Sequence, residues 1–124
     1  MAHGEFHWQE HTTREPAKAR DFYVETLGWT FDEMSMEGGA TYYIAKVGDQ
    51  SVAGIMDMNQ LDLPDYVPSH WFTYIAVDDI NSRLEKLRAA GGEVIRDPFA
   101  VPGIGTIAII QDSKGARLGF IQPA

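Results

Sequence analysis

The chain states one pattern twice. A strand-like stretch, a helix-like stretch and three further strand-like stretches run from FHWQEHTT to SVAGIMDM, and the same order returns from HWFTYIAV to RLGFIQP. At an offset of 64 residues Trp8 falls over Phe72, Glu10 over Tyr74, Thr12 over Ala76, Tyr23 over Leu87 and Gly28 over Gly92. A repeat held in register constrains the fold more than composition does, because both halves must form the same supersecondary unit. The reading is a pair of βαβββ modules, at about 5–59 and 70–123, joined by a linker over 60–69 in a single domain of residues 1–124.

Local chemistry supports each element. Alternation along FHWQEHTT puts Trp8, Glu10 and Thr12 on one face and His7, Gln9 and His11 on the other. Thr13 or Glu15 is placed to cap the next element, and Pro16 suits the first turn of a helix through PAKARDFYVETLG. Ala19, Phe22, Tyr23 and Leu27 give that helix a stripe expected to be buried, and Gly28 stops it. Turns at Gly38-Gly39 and Gly48-Asp49 separate three strands. NQLDLPDYVPS, with Pro64 and Pro68, reads as the linker. In the second half Asp78 or Asp79 caps a helix through NSRLEKLRAAG whose apolar side is Ile80, Leu84 and Leu87. EVIRD, TIAIIQD and RLGFIQP follow as strands, separated by a loop FAVPGIG and a turn SKGA. The expected fold class is α+β: paired βαβββ modules whose sheet is curled and encloses a cleft, with helices outside.

Composition removes several functions. A hydrophobic fraction of 44 % and a charged fraction of 23 % suit a globular chain. The 18 acidic and 10 basic residues leave a net charge of -8 with no basic patch, which argues against nucleic acid and anionic membrane as partners. With no cysteine, disulfides, thiolate nucleophiles and sulfur-ligated zinc are excluded. No run approaches a membrane span, and MAHGEFHWQE is too polar and acidic for a signal peptide, so a cytoplasmic protein is expected. V-P-G-I-G at 101–105 lacks the Lys-Ser/Thr of a phosphate-binding loop. RLEKLR reads as a solvated helix face.

Several motifs together carry a resemblance over nearly the whole chain. The first half holds W-x-E, T-T-x-x-P, A-x-x-F-Y and L-G-W; the second holds P-S-H-W-x-x-Y-x-x-V-D-D, A-G-G, P-G-I-G and D-x-x-G-A. In these the chain resembles the glyoxalase/bleomycin-resistance/extradiol dioxygenase (vicinal oxygen chelate) superfamily, and within it the glyoxalase-like subgroup with Trp in the first strand. Metal-using members place a His or Gln in the first strand of each module and a Glu in the last. By that correspondence the ligand positions fall on Trp8, Phe72, Gly119 and a residue near Ala53 or Ile55. An indole N–H only donates, a phenyl has no lone pair and glycine has no side chain, so the resemblance implies no metal there.

A rebuilt metal site is not expected either. His7 and His11 lie about 13 Å apart if extended, too far to share an ion. His70 stands at the start of its strand, and His3 reads as a terminal residue. The expected site is therefore a cofactor-free cleft lined by Trp8, Glu10, Phe72, Tyr74 and one of Tyr42 or Tyr43, with Tyr43 taken as the lining residue. It would hold a small aromatic or apolar molecule, and the resemblance implies a sequestering role like that of resistance proteins of the superfamily. The alternative is a metal-independent lyase or isomerase with Glu10 as general base, its pKa raised by burial. A metal-dependent lyase or dioxygenase is disfavoured. Exposed sheet edges point to a homodimer.

Overall fold

The computed structural model of the protein describes residues 2–61, 63–101 and 103–124. Asp62 of the expected linker and Pro102 of V-P-G-I-G lie outside the described residues. The elements are β1 (Phe6–Thr13), α1 (Pro16–Leu27), β2 (Thr30–Ser35), β3 (Thr41–Val47), β4 (Gln50–Asp57), β5 (His70–Ala76), α2 (Ile80–Ala89), β6 (Glu93–Val101), β7 (Gly105–Gln111) and β8 (Arg117–Pro123). Short 3-10 turns stand at Glu37–Gly39 and Met58–Gln60. The βαβββ order occurs twice, as the repeat requires. Among the described residues no helix is long and apolar enough to cross a membrane.

Two compact units make up the chain, Trp8–Trp71 and Met1–His7 with Phe72–Ala124. The amino-terminal residues thus belong with the second module. Gly4 N donates to Ala76 O at 2.7 Å and Ala76 N to Glu5 O at 2.8 Å.

The strand order is β2-β3-β4-β1-β5-β8-β7-β6, an open series with β2 and β6 at its ends. The sheet is neither curled nor closed, which corrects the expected cleft-enclosing sheet. The edge strands are poor at pairing further. β2 exposes Asp32 and Glu33, and β6 has two register shifts, at Val94/Arg96 and Arg96/Phe99, with Pro98 inside the second. Charges, proline and bulges are the devices that leave an edge unpaired. The same irregularity lets β6 run on to Val101, where a loop was expected from Phe99. A missing N–H costs little on the open side of an edge.

In the first unit β1 runs parallel to β4, with Glu10 opposite Gly54 and His11 opposite Ile55, and β3 lies antiparallel to β2 and β4. Tyr43, Ala45, Ala53, Ile55 and Met58 are buried. Pro16 opens α1 and Gly28 ends it at φ 71°, a left-handed conformation that glycine adopts without penalty. Glu15 occupies the capping position without a side-chain bond, while Thr13 Oγ1 accepts from Glu15 N at 3.2 Å. The expected buried stripe of α1 is not buried. The helix has no buried residue, and Phe22 and Leu27 remain 58 % and 57 % exposed. Residues 63–69 are tied down by Arg14, which donates to Val67 O at 2.6 Å and Pro64 O at 2.9 Å, and by Ser69 Oγ on Thr13 Oγ1 at 2.8 Å.

In the second unit β5 runs parallel to β8, and β6, β7 and β8 form an antiparallel meander. Its core is Val77, Ile80, Leu84, Ala108 and Ile110, with Leu87, Val94, Leu118 and Phe120 packed around it. Burying Ile80, Leu84 or Ile110 stabilises the unit by about 1.5–3 kcal/mol each. Asp79 caps α2 through Ser82 N at 3.3 Å. Arg83 donates to both oxygens of Asp78 at 2.8 and 2.9 Å, and these bonds hold the Asp78 carboxyl well below the usual carboxylate range. His3 is not loose, since its Nδ1 accepts from Asp78 N at 3.1 Å.

Candidate functional site

β1 sends alternate side chains to opposite faces, which puts Trp8 and Glu10 on one side. Tyr42 joins them from β3. The indole Nε1–H of Trp8 donates to Tyr42 Oη at 2.9 Å, and Tyr42 Oη donates to Glu10 Oε2 at 2.8 Å. The direction of this chain is fixed by chemistry. An indole nitrogen can only donate, so the phenol accepts there and turns its proton to the carboxylate.

Gly54 makes the arrangement possible. It stands on β4, opposite Glu10 of β1 and opposite Ile44 of β3. A Cβ at this position would run into Tyr42 Oη, Cζ and Cε2. The phenol thus reaches Glu10 over a bare strand position.

Tyr43 lies on the other face. It is buried, its ring is 6.4 Å from Phe31, and the Arg20 guanidinium sits 4.9 Å from its centroid. Tyr42, not Tyr43, is the tyrosine beside Trp8 and Glu10. The signal that could have found it is the glycine inside SVAGIM, since an interior strand glycine marks a close approach of another group.

Phe72 and Tyr74 share a face of β5 in the second unit, with ring centroids 5.3 Å apart and planes at 69°. Tyr74 stands opposite Gly119. A Cβ at Gly119 would meet Tyr74 Cδ1 and Cε1. Each module therefore has a tyrosine ring laid over a glycine of its last strand. The parallel registers also make Gly54 the counterpart of Gly119. The expected counterpart was Ala53 or Ile55, one residue to either side.

The residues present do not fit a metal ion at these positions. Trp8, Phe72, Gly54 and Gly119 offer no lone pair from a side chain suited to a cation. Among the described residues no group of three or more His, Asp and Glu side chains could hold one.

Of the histidines, His11 packs against aromatic rings on the other face. His11 meets Tyr23 at 5.9 Å and Trp71 at 5.0 Å, edge to face. Tyr23 stacks on Trp29 at 5.2 Å and accepts a bond from Trp71 Nε1 at 3.3 Å. Burial, and then the nearby His70, push the His11 pKa below its ordinary value. Nδ1 of His7, Nδ1 of His11 and Oγ1 of Thr73 are buried without a hydrogen-bond partner among the described residues. His70 Nδ1 lies 2.9 Å from Pro68 O, which can only accept, so this nitrogen carries the proton.

Comparison with known proteins agrees with this architecture. The chain is 38 % identical over 117 residues to "Putative glyoxylase CFP32" of Mycobacterium bovis, covering 94 % of this chain and 43 % of that protein. It is 30 % identical over 120 residues to the anthracycline biosynthesis protein DnrV of Streptomyces peucetius, covering 88 % and 43 %. The chain thus spans less than half the length of these curated relatives. The crystal structure of hypothetical protein BH1468 from Bacillus halodurans superposes with a TM-score of 0.70 at 14 % identity, covering 98 % of this chain and 95 % of that one. Residues 6–120 match the family model of the Glyoxalase/Bleomycin resistance protein/Dioxygenase superfamily, and the chain belongs to that superfamily.

Proposed function

We propose that Trp8, Tyr42 and Glu10 bind a small, flat, aromatic or apolar molecule without a metal ion or other cofactor. The observation that carries this reading is the hydrogen-bond chain laid over Gly54. It fixes an indole, a phenol and a carboxylate on one strand face. Aromatic rings supply apolar area and a π-face for stacking, while a carboxylate supplies orientation through an acceptor. Phe72 and Tyr74 offer aromatic surface of the same kind in the second unit. The name of the 30 % identical relative, an anthracycline biosynthesis protein, supports a fused-ring aromatic as the ligand class.

The test is an NMR titration of the Trp8 indole N–H with a panel of flat phenols and aryl amines. Saturable shifts are expected there and in the backbone amides of β1, β3 and β4; the backbone shifts, which report in every variant, should vanish in Trp8→Leu and weaken in Glu10→Gln. A binder that holds equally well to both variants refutes the site. Stoichiometric metal in protein purified without chelator refutes its metal-free character.

A second reading rests on the 2.8 Å contact between the Tyr42 phenol and Glu10. An acid and a base side by side suit a metal-independent lyase or isomerase with Glu10 as general base. Turnover lost in Glu10→Gln, with ligand still bound, would select it. We extend the reading to a cytoplasmic homodimer; since β2 and β6 are poor at pairing, its support is the exposed apolar side of α1 at Phe22 and Leu27. A monomeric mass in solution at micromolar concentration refutes the dimer.

A further inference from the structure

The repeat supplies an internal control on packing. In the first unit aromatic rings meet between α1 and the sheet: Tyr23 meets His11 on β1 and stacks on Trp29. The 64-residue offset carries Tyr23 to Leu87 and His11 to Ile75. These aliphatic side chains do not fill the corresponding place. With Val77 and Phe120 they line an open cavity of about 340 Å³ beside α2. Every residue that lines it belongs to the second unit.

The cavity has a polarity. Its body is hydrocarbon, and the charged or titratable side chains at it are His3, Arg83 and Lys86, with no acidic one among the lining residues. In a chain of net charge -8 that is a local inversion of sign. Arg83 is already committed to Asp78 through two hydrogen bonds, and His3 Nδ1 accepts the Asp78 amide. The exposed Lys86 ammonium is in none of the ion pairs found among the described residues. An apolar body with one uncommitted cation at its edge is complementary to an amphipathic anion.

We propose that this cavity binds a small apolar carboxylate, such as a medium-chain fatty acid or an aryl-alkanoic acid. The hydrocarbon covers Ile75, Val77, Leu87 and Phe120, and the carboxylate meets Lys86. This site uses none of Trp8, Tyr42 or Glu10, so it stands or falls apart from the function proposed above.

The experiment is a titration of the full chain with sodium octanoate, followed through its backbone amide resonances by NMR, with octylamine as the charge control. Saturable shifts confined to β5, α2 and β8 around residues 75–77, 83–90 and 120 are expected, with octylamine weaker. Lys86→Gln should weaken octanoate on the order of threefold, as for an exposed ion pair. Leu87→Phe, which puts a ring where the first unit has Tyr23, should block it. If Leu87→Phe fails to fold, the exposed Lys86→Gln and the octylamine comparison still decide. Absence of saturation below the micellar range, shifts centred elsewhere, octylamine binding as tightly as octanoate, or Lys86→Gln unchanged would each overturn the proposal.

Discussion

Gly54→Ala tests the central geometry. The new methyl must take the space that Tyr42 Oη, Cζ and Cε2 occupy. Those atoms are the far end of a half-buried side chain, so the ring can swing aside without forcing the backbone. The cost is then the hydrogen-bond chain rather than a steric collision. One bond is between neutral groups and contributes about 1 kcal/mol; the other ends on a carboxylate and contributes about 1.5–3 kcal/mol. Alanine offsets about 0.5–1 kcal/mol of this by restricting the unfolded chain. The net loss should be about 2 kcal/mol, read as the difference in unfolding free energy from urea melts. A double-mutant cycle isolates the cause. In a Tyr42→Ala background only the gain from alanine remains, so the same Gly54→Ala change should stabilise by about 0.5–1 kcal/mol, leaving a coupling of about 2.5–3 kcal/mol. The Trp8 indole N–H resonance should also move in Gly54→Ala alone. If Gly54→Ala costs the same in both backgrounds, within about 0.5 kcal/mol, the glycine does not serve Tyr42 and the reasoning fails.

Gly119→Ala should be worse than Gly54→Ala, at roughly 3 kcal/mol. Its Cβ would meet Tyr74 near the base of the ring, with Cγ at 3.3 Å, so the whole ring must leave its half-buried place on the strand; a milder effect in the same melts refutes this. His11 should make stability depend on pH below neutrality. Its folded pKa is lowered from 6.5, mainly by burial and then by His70, so the unfolded chain takes the proton first. Stability is therefore full above pH 6.5 and is lost as pH falls from there through the folded pKa. His11→Phe should flatten that limb of the urea midpoint against pH, and an imidazole titrating at or above 6.5 in wild-type NMR spectra counts against it. Arg14→Ala removes the donors to Val67 O and Pro64 O and should speed limited proteolysis within residues 63–69 roughly tenfold, with the global melt changing far less. Unchanged cleavage would mean that other contacts hold this segment.

What could be read in advance follows from where each kind of information sits. The faces of Trp8 and Glu10, and of Phe72 and Tyr74, were legible because alternation is a property of the strand itself. Tyr42 and Tyr43 show the limit of that argument. Neighbours in TYYIAKV must point to opposite faces, but which one meets Glu10 depends on the register of β3 against β4, and that pair carries a shift at Ala45/Lys46. The stripe of α1 likewise shows which residues share a side, not whether anything covers them. Tyr23 finds His11, Trp29 and Trp71, whereas Phe22 and Leu27 stay largely open. Whether a sheet curls or closes lies still further from local pattern. It depends on what the outermost strands can pair with, and β6 with its proline and shifts, like β2 with its acids, ends the series.

The two glycines tie these strands of the argument together. Superfamily members that use metals carry a carboxylate in the last strand of a module; here the registers put Gly54 and Gly119 at the matching places, each beneath a tyrosine. The absence of the carboxylate and the presence of the ring are one structural fact, since either side chain would exclude the other. Restoring a glutamate at position 54 would therefore not restore a metal site. Its Cβ would first displace Tyr42, releasing the partner of Trp8 and Glu10, and Trp8 would still present a donor where a ligand needs a lone pair. Moving between the two chemistries requires β1, β3 and β4 to change together, which is why the phenol over Gly54 says more about this site than any one missing ligand.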